Sequence, residues 1–215
     1  MNPKHFLLVG AAISTLIFST GCQSGSKTTT TAAATPAPAV APVAAATPAP
    51  AAVTAPSAAA PASAPMAIRI NAGMSTPTTN SDGTVWLADQ GFADGETVER
   101  PDIQVANAGA DQVVYQSEHF SMTSFSRPVP NGKYIVKLHF AETYEGITDK
   151  GQRVFSVNVQ GQDFKDFDVF DKAGGALKAY VVTVPVEVTN GKLDITFTPN
   201  IENPEINGIE IIPNS

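Results

Sequence analysis

The chain is 215 residues long, with a formal net charge of -7 and a pI near 4.8. The first 66 residues carry only Lys4 and Lys27, so all 20 acids and 11 of the 13 bases fall in the last 149 residues, which carry a net charge of -9. A surface of that sign repels phosphates and excludes nucleic acid as a natural partner, while leaving a neutral ligand open.

Residues 1–22 read as an export signal. Lys4 supplies the positive start, Phe6 to Phe18 form an apolar run too short for an ordinary membrane span, and Ser19-Thr20-Gly21 place small residues before the only cysteine, Cys22. The layout resembles a bacterial lipoprotein signal, in which the cysteine is lipidated and becomes the new N-terminus. Ser19 stands where such signals usually carry leucine, so ordinary cleavage followed by secretion is the alternative. Gln23 after Cys22 is not the aspartate associated with inner-membrane retention. The expectation is therefore a cell-envelope protein held by an N-terminal lipid in the outer membrane, with no disulfide in its exported part. Residues 23–66 are almost wholly Ala, Pro, Thr, Ser and Val, with prolines too closely spaced for a helix to survive. They read as a disordered linker that holds the following domain, residues 67–215, away from the membrane.

In that domain Ala67–Ile70 alternates as a first strand, and Thr84–Leu87 is a short apolar run. Phe92 stands alone in a glycine-rich loop, as a binding platform or as a plug against the core. Gln112–Gln116 reads as a strand. Asn131-Gly132 opens the most regular stretch, in which Tyr134, Val136, Leu138 and Phe140 alternate with Ile135, Lys137 and His139, the pattern of a central strand with one dry face. Val154–Val159 follows, then a turn at Gln160-Gly161. Tyr180–Val188 alternates with Pro185 on its polar side, as on an edge strand. Asn190-Gly191 reads as a hairpin into Leu193–Phe197, and Glu205–Ile212 reads as a last strand. No segment shows helical periodicity over ten residues, so the fold class is all-β, an antiparallel β-sandwich.

Several fragments, in order and spacing, resemble the malectin and malectin-like carbohydrate-binding family. They are Ile70-Asn71-Ala72-Gly73, Trp86-Leu87-Ala88-Asp89, Val114-Tyr115-Gln116-Ser117-Glu118 and Leu138-His139-Phe140-Ala141-Glu142-Thr143-Tyr144. Gly151-Gln152-Arg153-Val154-Phe155, Phe167-Asp168-Val169-Phe170 and Asn203-Pro204-Glu205-Ile206-Asn207-Gly208 complete the match. The resemblance implies a jelly-roll-like sandwich that binds glucose-containing oligosaccharides and performs no chemistry. Motif by motif it places Tyr144 on a ligand tyrosine, Phe120 on a second aromatic position, Glu202 on a ligand aspartate and, loosely, Phe92 on a further aromatic. Glu145 stands where family binders commonly show Phe or Trp, Phe120 lacks a hydroxyl, and Glu202 is one methylene longer than aspartate.

The chemistry of such a site is simple. A pyranose packs its C–H face on an aromatic plane and needs carboxylate or amide partners for its hydroxyls. Tyr144 or Phe120 would supply the plane, and Glu202, Asn203 or Glu145 the hydrogen bonds. The structural alternatives are that Phe120 belongs to the core and that Tyr144 only caps a loop. For catalysis the residues offer little: His119 and His139 are the domain's only histidines, and Glu118 and Glu142 are more simply read as solvated or paired with Arg127 or Arg153 than as a glycosidase pair. The aspartates at 163, 166, 168 and 171 fit no defined calcium loop, so no metal and no cofactor is expected. The rival reading is an envelope scaffold or protein-interaction lipoprotein that kept the sandwich and lost the sugar.

Overall fold

The structure is a computed structural model that describes residues 66–214. The export segment, Cys22 and the Ala/Pro-rich stretch through residue 65 lie outside the described residues. In chain order the strands are β1 (Ile68–Asn71), β2 (Thr78–Thr79), β3 (Val85–Trp86), β4 (Phe92–Ala93), β5 (Glu96–Glu99), β6 (Ser117–Phe120) and β7 (Ser124–Pro128). They continue with β8 (Gly132–Phe140), β9 (Val154–Val159), β10 (Gln162–Phe167), β11 (Tyr180–Val188), β12 (Lys192–Ile201), β13 (Glu205–Ile206) and β14 (Gly208–Pro213).

Two antiparallel sheets form the sandwich, one ordered β1-β14-β8-β11 and the other β10-β9-β12-β7-β4. The alternation of β8 decides which side is dry. Tyr134, Val136, Leu138 and Phe140 point between the sheets, with Ile209 and Ile211 of β14 and Val184, Val186 and Val188 of β11. Phe125, Phe155, Val157, Val159, Ile195 and Phe197 meet them from the second sheet. Each such side chain, fully buried, contributes roughly 1.5–3 kcal/mol, which makes this interface the principal source of stability. Pro185 sits on β11, the outermost strand of its sheet, where a missing amide hydrogen costs no ladder bond.

Three expectations from the sequence need correction. Gln112–Gln116 belongs to a 3-10 segment, Gly109–Gln116, and not to a strand. Its neighbours Val114 and Tyr115 are both buried, which strand alternation forbids. The Tyr115 hydroxyl lies 3.0 Å from Nδ1 of His139, and a Cβ on Gly208 would come within 2.7 Å of Val114 and 3.0 Å of Trp86. This segment therefore covers the outer face of β8, forming a second apolar cluster with Trp86, Val105, Ala108 and Ala141. Asn190-Gly191 does not close a hairpin: β11 pairs with β8, whereas β12 pairs with β7 and β9, so the turn carries the chain from one sheet to the other. The apolar faces of β11 and β12 look at each other across the core, which precludes edge pairing. Glu205–Ile212 is broken at Asn207 into β13, which joins a small sheet β13-β6-β5, and β14, which joins the first sheet. A five-residue helix α1 (Val169–Ala173), shorter than the ten residues over which helical periodicity is readable, follows β10. Asp168 caps it by accepting from the Asp171 amide, and Gly174 ends it at φ 74°.

Register fixes the polarity of the molecule. Ile68 lies opposite Ile211, and Ile211 opposite Val136, while Asn71, Gly208 and His139 stand in line one end further along. Residue 66 is thus at the end where β8 begins, as is Asn214, whose amide donates to the Lys133 carbonyl. Tyr144 follows the far end of β8.

Candidate functional site

Beyond Phe140 the chain stops alternating, and buried polar groups take over. The Ala141 amide donates to Oδ1 of Asn207, and Asn207 in turn donates from its side chain to the Ser117 carbonyl and from its backbone to the His139 carbonyl. Thr143 donates to Glu118, and the Glu142 carboxylate accepts from the Tyr144 amide at 3.0 Å. The Ala141–Tyr144 stretch is therefore pinned on both sides while the Tyr144 ring remains 50% exposed. The ring is not sealed beneath its neighbours.

Two clefts open on either side of it. The smaller, about 370 Å³, is lined by Val98, Arg100, Glu118, Phe120, Tyr144, Arg153, Glu202 and Asn203. The larger, about 690 Å³, is lined by Arg100, Ile103, Glu142, Thr143, Tyr144, Glu145, Ile147, Thr148, Phe170, Ala176 and Leu177. Tyr144 and Arg100 belong to both. Of the residues singled out from sequence, the structure brings Tyr144, Phe120, Glu202 and Asn203 together around the smaller cleft and puts Glu145 on the larger one. Phe92 lines neither cleft: its ring stacks on His119 at 4.4 Å and leans on Phe125 at 5.1 Å, against the core. Phe120, paired with Glu205 of β13 and Glu96 of β5, is half-buried.

The floor between the clefts is a charged cluster. Arg153 donates through Nε to Glu142 at 2.7 Å and through a guanidinium nitrogen to the Asn203 carbonyl at 2.5 Å, tying the Tyr144 loop to the Glu202-Asn203 turn. Arg100 lies 3.1 Å from Glu118 and donates to Thr143 at 3.1 Å. Glu142 pairs with Arg153 as one of the sequence expectations held, but Glu118 takes Arg100, and Arg127 is bound instead to Gln90. Below them Glu205 is completely buried, and neither carboxyl oxygen has a hydrogen-bond partner. Burial, aggravated by the nearby charges of Glu142 and Glu118, drives its pKa well above the usual carboxylate range. Glu142 has Arg153 and an amide to hold its charge, so of the two Glu205 keeps the proton. With Glu205 neutral, two carboxylates face two guanidiniums and the cluster balances.

Two residues on the rims hold left-handed backbone: Glu202 at φ 62° and Leu177 at φ 52°. For a bulky L-residue this conformation costs about 1–2 kcal/mol and persists only where the surroundings over-determine it. For Leu177 they do. Its amide donates to the Glu142 carbonyl, its carbonyl accepts from the Ala106 amide, and Ala179 donates back to Ala106. The side chain is nevertheless 40% exposed over the larger cleft.

Of the aspartates at 163, 166, 168 and 171, the first three are engaged separately. Asp163 accepts from Asn158, Asp166 accepts from Asn200, and Asp168 accepts from the amides of Gly151 and Asp171. Sequence reasoning missed Arg100, Ile103, Phe170 and Leu177 at the site. Arg100 carried no signal in a polar loop, whereas the isolated Leu177 after Gly174-Gly175 was a detectable anomaly.

An antiparallel sandwich with an uncovered tyrosine between clefts and carboxylates and an amide at its rim has the build of a carbohydrate-binding, lectin-like domain. The chain belongs to the malectin-domain family: the family model described as Malectin domain matches residues 66–209. The domain of that family is non-catalytic. Malectin-B of Xenopus laevis is 36% identical over 97 residues, covering 41% of this chain and 34% of the relative. A leucine-rich repeat receptor-like serine/threonine-protein kinase of Arabidopsis thaliana is 36% identical over 102 residues, covering 44% of this chain and 10% of the kinase. The chain thus spans about a third or less of these relatives. Among solved structures, a Bacteroides uniformis beta-glucuronidase superposes with a TM-score of 0.63 at 18% identity, over 70% of this chain and 18% of the enzyme. A chain in the crystal structure of plant peptide RALF23 in complex with FER and LLG2 superposes with a TM-score of 0.59 at 20% identity, over 67% of this chain and 47% of that one. These two likenesses concern the fold alone.

Proposed function

We propose that this protein is a non-catalytic carbohydrate-binding domain for a neutral, glucose-containing or related oligosaccharide. We further propose that Cys22 tethers it by lipid to a bacterial cell envelope, at the outer membrane. The observation that carries the reading is the half-exposed Tyr144 ring shared by two clefts, with Phe120, Glu202 and Asn203 gathered at one of them. In this reading a sugar ring lies against Tyr144 or Phe120, and Glu202 and Asn203 accept and donate to its hydroxyls. Glu142 and Glu118 are committed to Arg153 and Arg100, which removes the pair a glycosidase would require. The test is calorimetric titration of the full chain with gluco-disaccharides of every linkage. Tyr144→Ala is expected to weaken the best of them by about 1–3 kcal/mol, roughly five- to 150-fold. Failure of every glycan at millimolar concentration refutes the proposal. Capture of a stoichiometric envelope protein, unaffected by Tyr144→Ala, would favour a scaffold instead; the acidic Glu145 on the larger cleft is the feature that points that way.

A further inference from the structure

Of the residues expected of a sugar site, the larger cleft holds only Tyr144, which it shares, and Glu145. Ile103, Ile147, Phe170 and Leu177 give it apolar walls beside the polar Thr143 and Thr148, while Phe120 and Glu202 belong only to the smaller cleft. Its volume, about 690 Å³, is nearly twice that of the smaller cleft and falls in the range of small-molecule sites. Leu177 is the telling residue. An apolar side chain held 40% exposed on a left-handed backbone, with both its amide and its carbonyl bonded across to neighbouring segments, is a rigid wall presented to something. The charges restrict what that something is. Glu142 is paired with Arg153 and Arg100 with Glu118, so Glu145 is the carboxylate left at the lip, on a domain with net charge -9. Anionic groups such as uronates, phosphates and fatty-acid carboxylates are repelled there.

We infer that the larger cleft takes the apolar, uncharged substituent of a substituted glycoside, an aryl or alkyl group joined to the sugar whose ring occupies the smaller cleft, with Tyr144 as the partition between the two. This rests on the carbohydrate reading above and names its ligand class more narrowly. The tyrosine borders both clefts, so a sugar and its substituent can each touch it. Arg100, common to both clefts, is held by Glu118 and Thr143 and does not compete for either.

The test compares, on the full chain, the gluco-disaccharide that binds best with its phenyl and octyl glycosides below micellar concentration. The glycosides are expected to bind at least tenfold more tightly than the parent sugar. Phe170→Ala and Leu177→Gly, the second of which relieves the backbone rather than straining it, should abolish that gain and leave the affinity for the parent within twofold. Phe120→Ala should weaken parent and glycosides alike. Equal affinity for parent and glycosides, or a gain that survives both cleft variants, overturns the inference and leaves the carbohydrate reading standing. No measurable binding of parent or glycosides overturns both.

Discussion

Tyr144 owes its position to a glycine. A Cβ on Gly146 would overlap the ring at Cε1 and approach Cζ to 2.7 Å, so the phenol lies directly on that backbone. The ring is the movable partner, and Gly146→Ala should therefore swing it aside without unfolding the domain. The expected outcome is a loss of sugar affinity comparable to that of Tyr144→Ala, with thermal unfolding changed by less than about 1 kcal/mol, a size ordinary for a surface substitution. Unchanged affinity would show that the ring's seat on Gly146 does not matter. Glu205 provides a second single-residue experiment. Its folded pKa is raised, so its contribution favours the native state below the unfolded value of 4.5 and is lost as the pH rises toward the folded value. Glu205→Gln, neutral at every pH, removes that loss. As the pH rises from 4.5 toward the folded value the variant should gain stability over the parent by up to about 1.4 kcal/mol per pH unit. Chemical denaturation at three pH values checks this, and parallel curves would show that Glu205 is ionised in the folded protein.

At the scale of elements, the loop that contains Phe92 is clamped by His119 of β6. Nδ1 of His119 lies 2.9 Å from the Asp89 carboxylate, and Nε2 lies 2.9 Å from the Asp94 carbonyl. Both partners are acceptors, which suits an imidazolium. Burial pulls the pKa of His119 down, but these bonds and the charge of Asp89 outweigh it, and the value is raised above 6.5. The sign is that of a raised base: the clamp is complete below pH 6.5 and is lost as the pH climbs through the folded value. An NMR titration of His119 should give a midpoint above 6.5, and amide exchange of residues 89–95, corrected for intrinsic rate, should accelerate across the same window. A midpoint at or below 6.5 would dispose of the clamp. This scale also shows what was readable in the sequence. The strands β9 and β11 were legible because one face of each is packed and the other is not, the condition under which period-two alternation appears, and β8 was legible because its outer face, though covered, carries the polar Lys137 and His139. The 3-10 segment was not, because Val113, Val114 and Tyr115 have the composition of a strand and only the burial of Val114 and Tyr115 in succession reveals a turn. Asn190-Gly191 gave a correct turn and a wrong partner, since a local signal says that the chain reverses, and the choice of sheet is made by the core.

For the whole molecule, the sandwich and its family were legible, and so was the grouping of Tyr144, Phe120, Glu202 and Asn203, because short motifs in fixed order specify which loops share an end. The larger cleft was not, since its walls come from isolated residues at 103, 147, 170 and 177 that only the fold assembles. The outer face of the first sheet adds a feature of the same kind. Despite its burial Glu210 is held down to about 2 by His139, Lys137 and Arg69, so β1, β8 and β14 are cross-linked by charge as well as by backbone, and that contribution is full above pH 4.5 and is lost as the pH falls from there through about 2. The direction of the strands has one more consequence. Residues 66 and 214 both stand where β8 starts, and a nine-residue strand separates that end from the clefts by about 30 Å. A support, label or anchor attached at either of those positions therefore aims the tyrosine outward like the tip of a probe, free to meet a polymer too large to approach the attachment side.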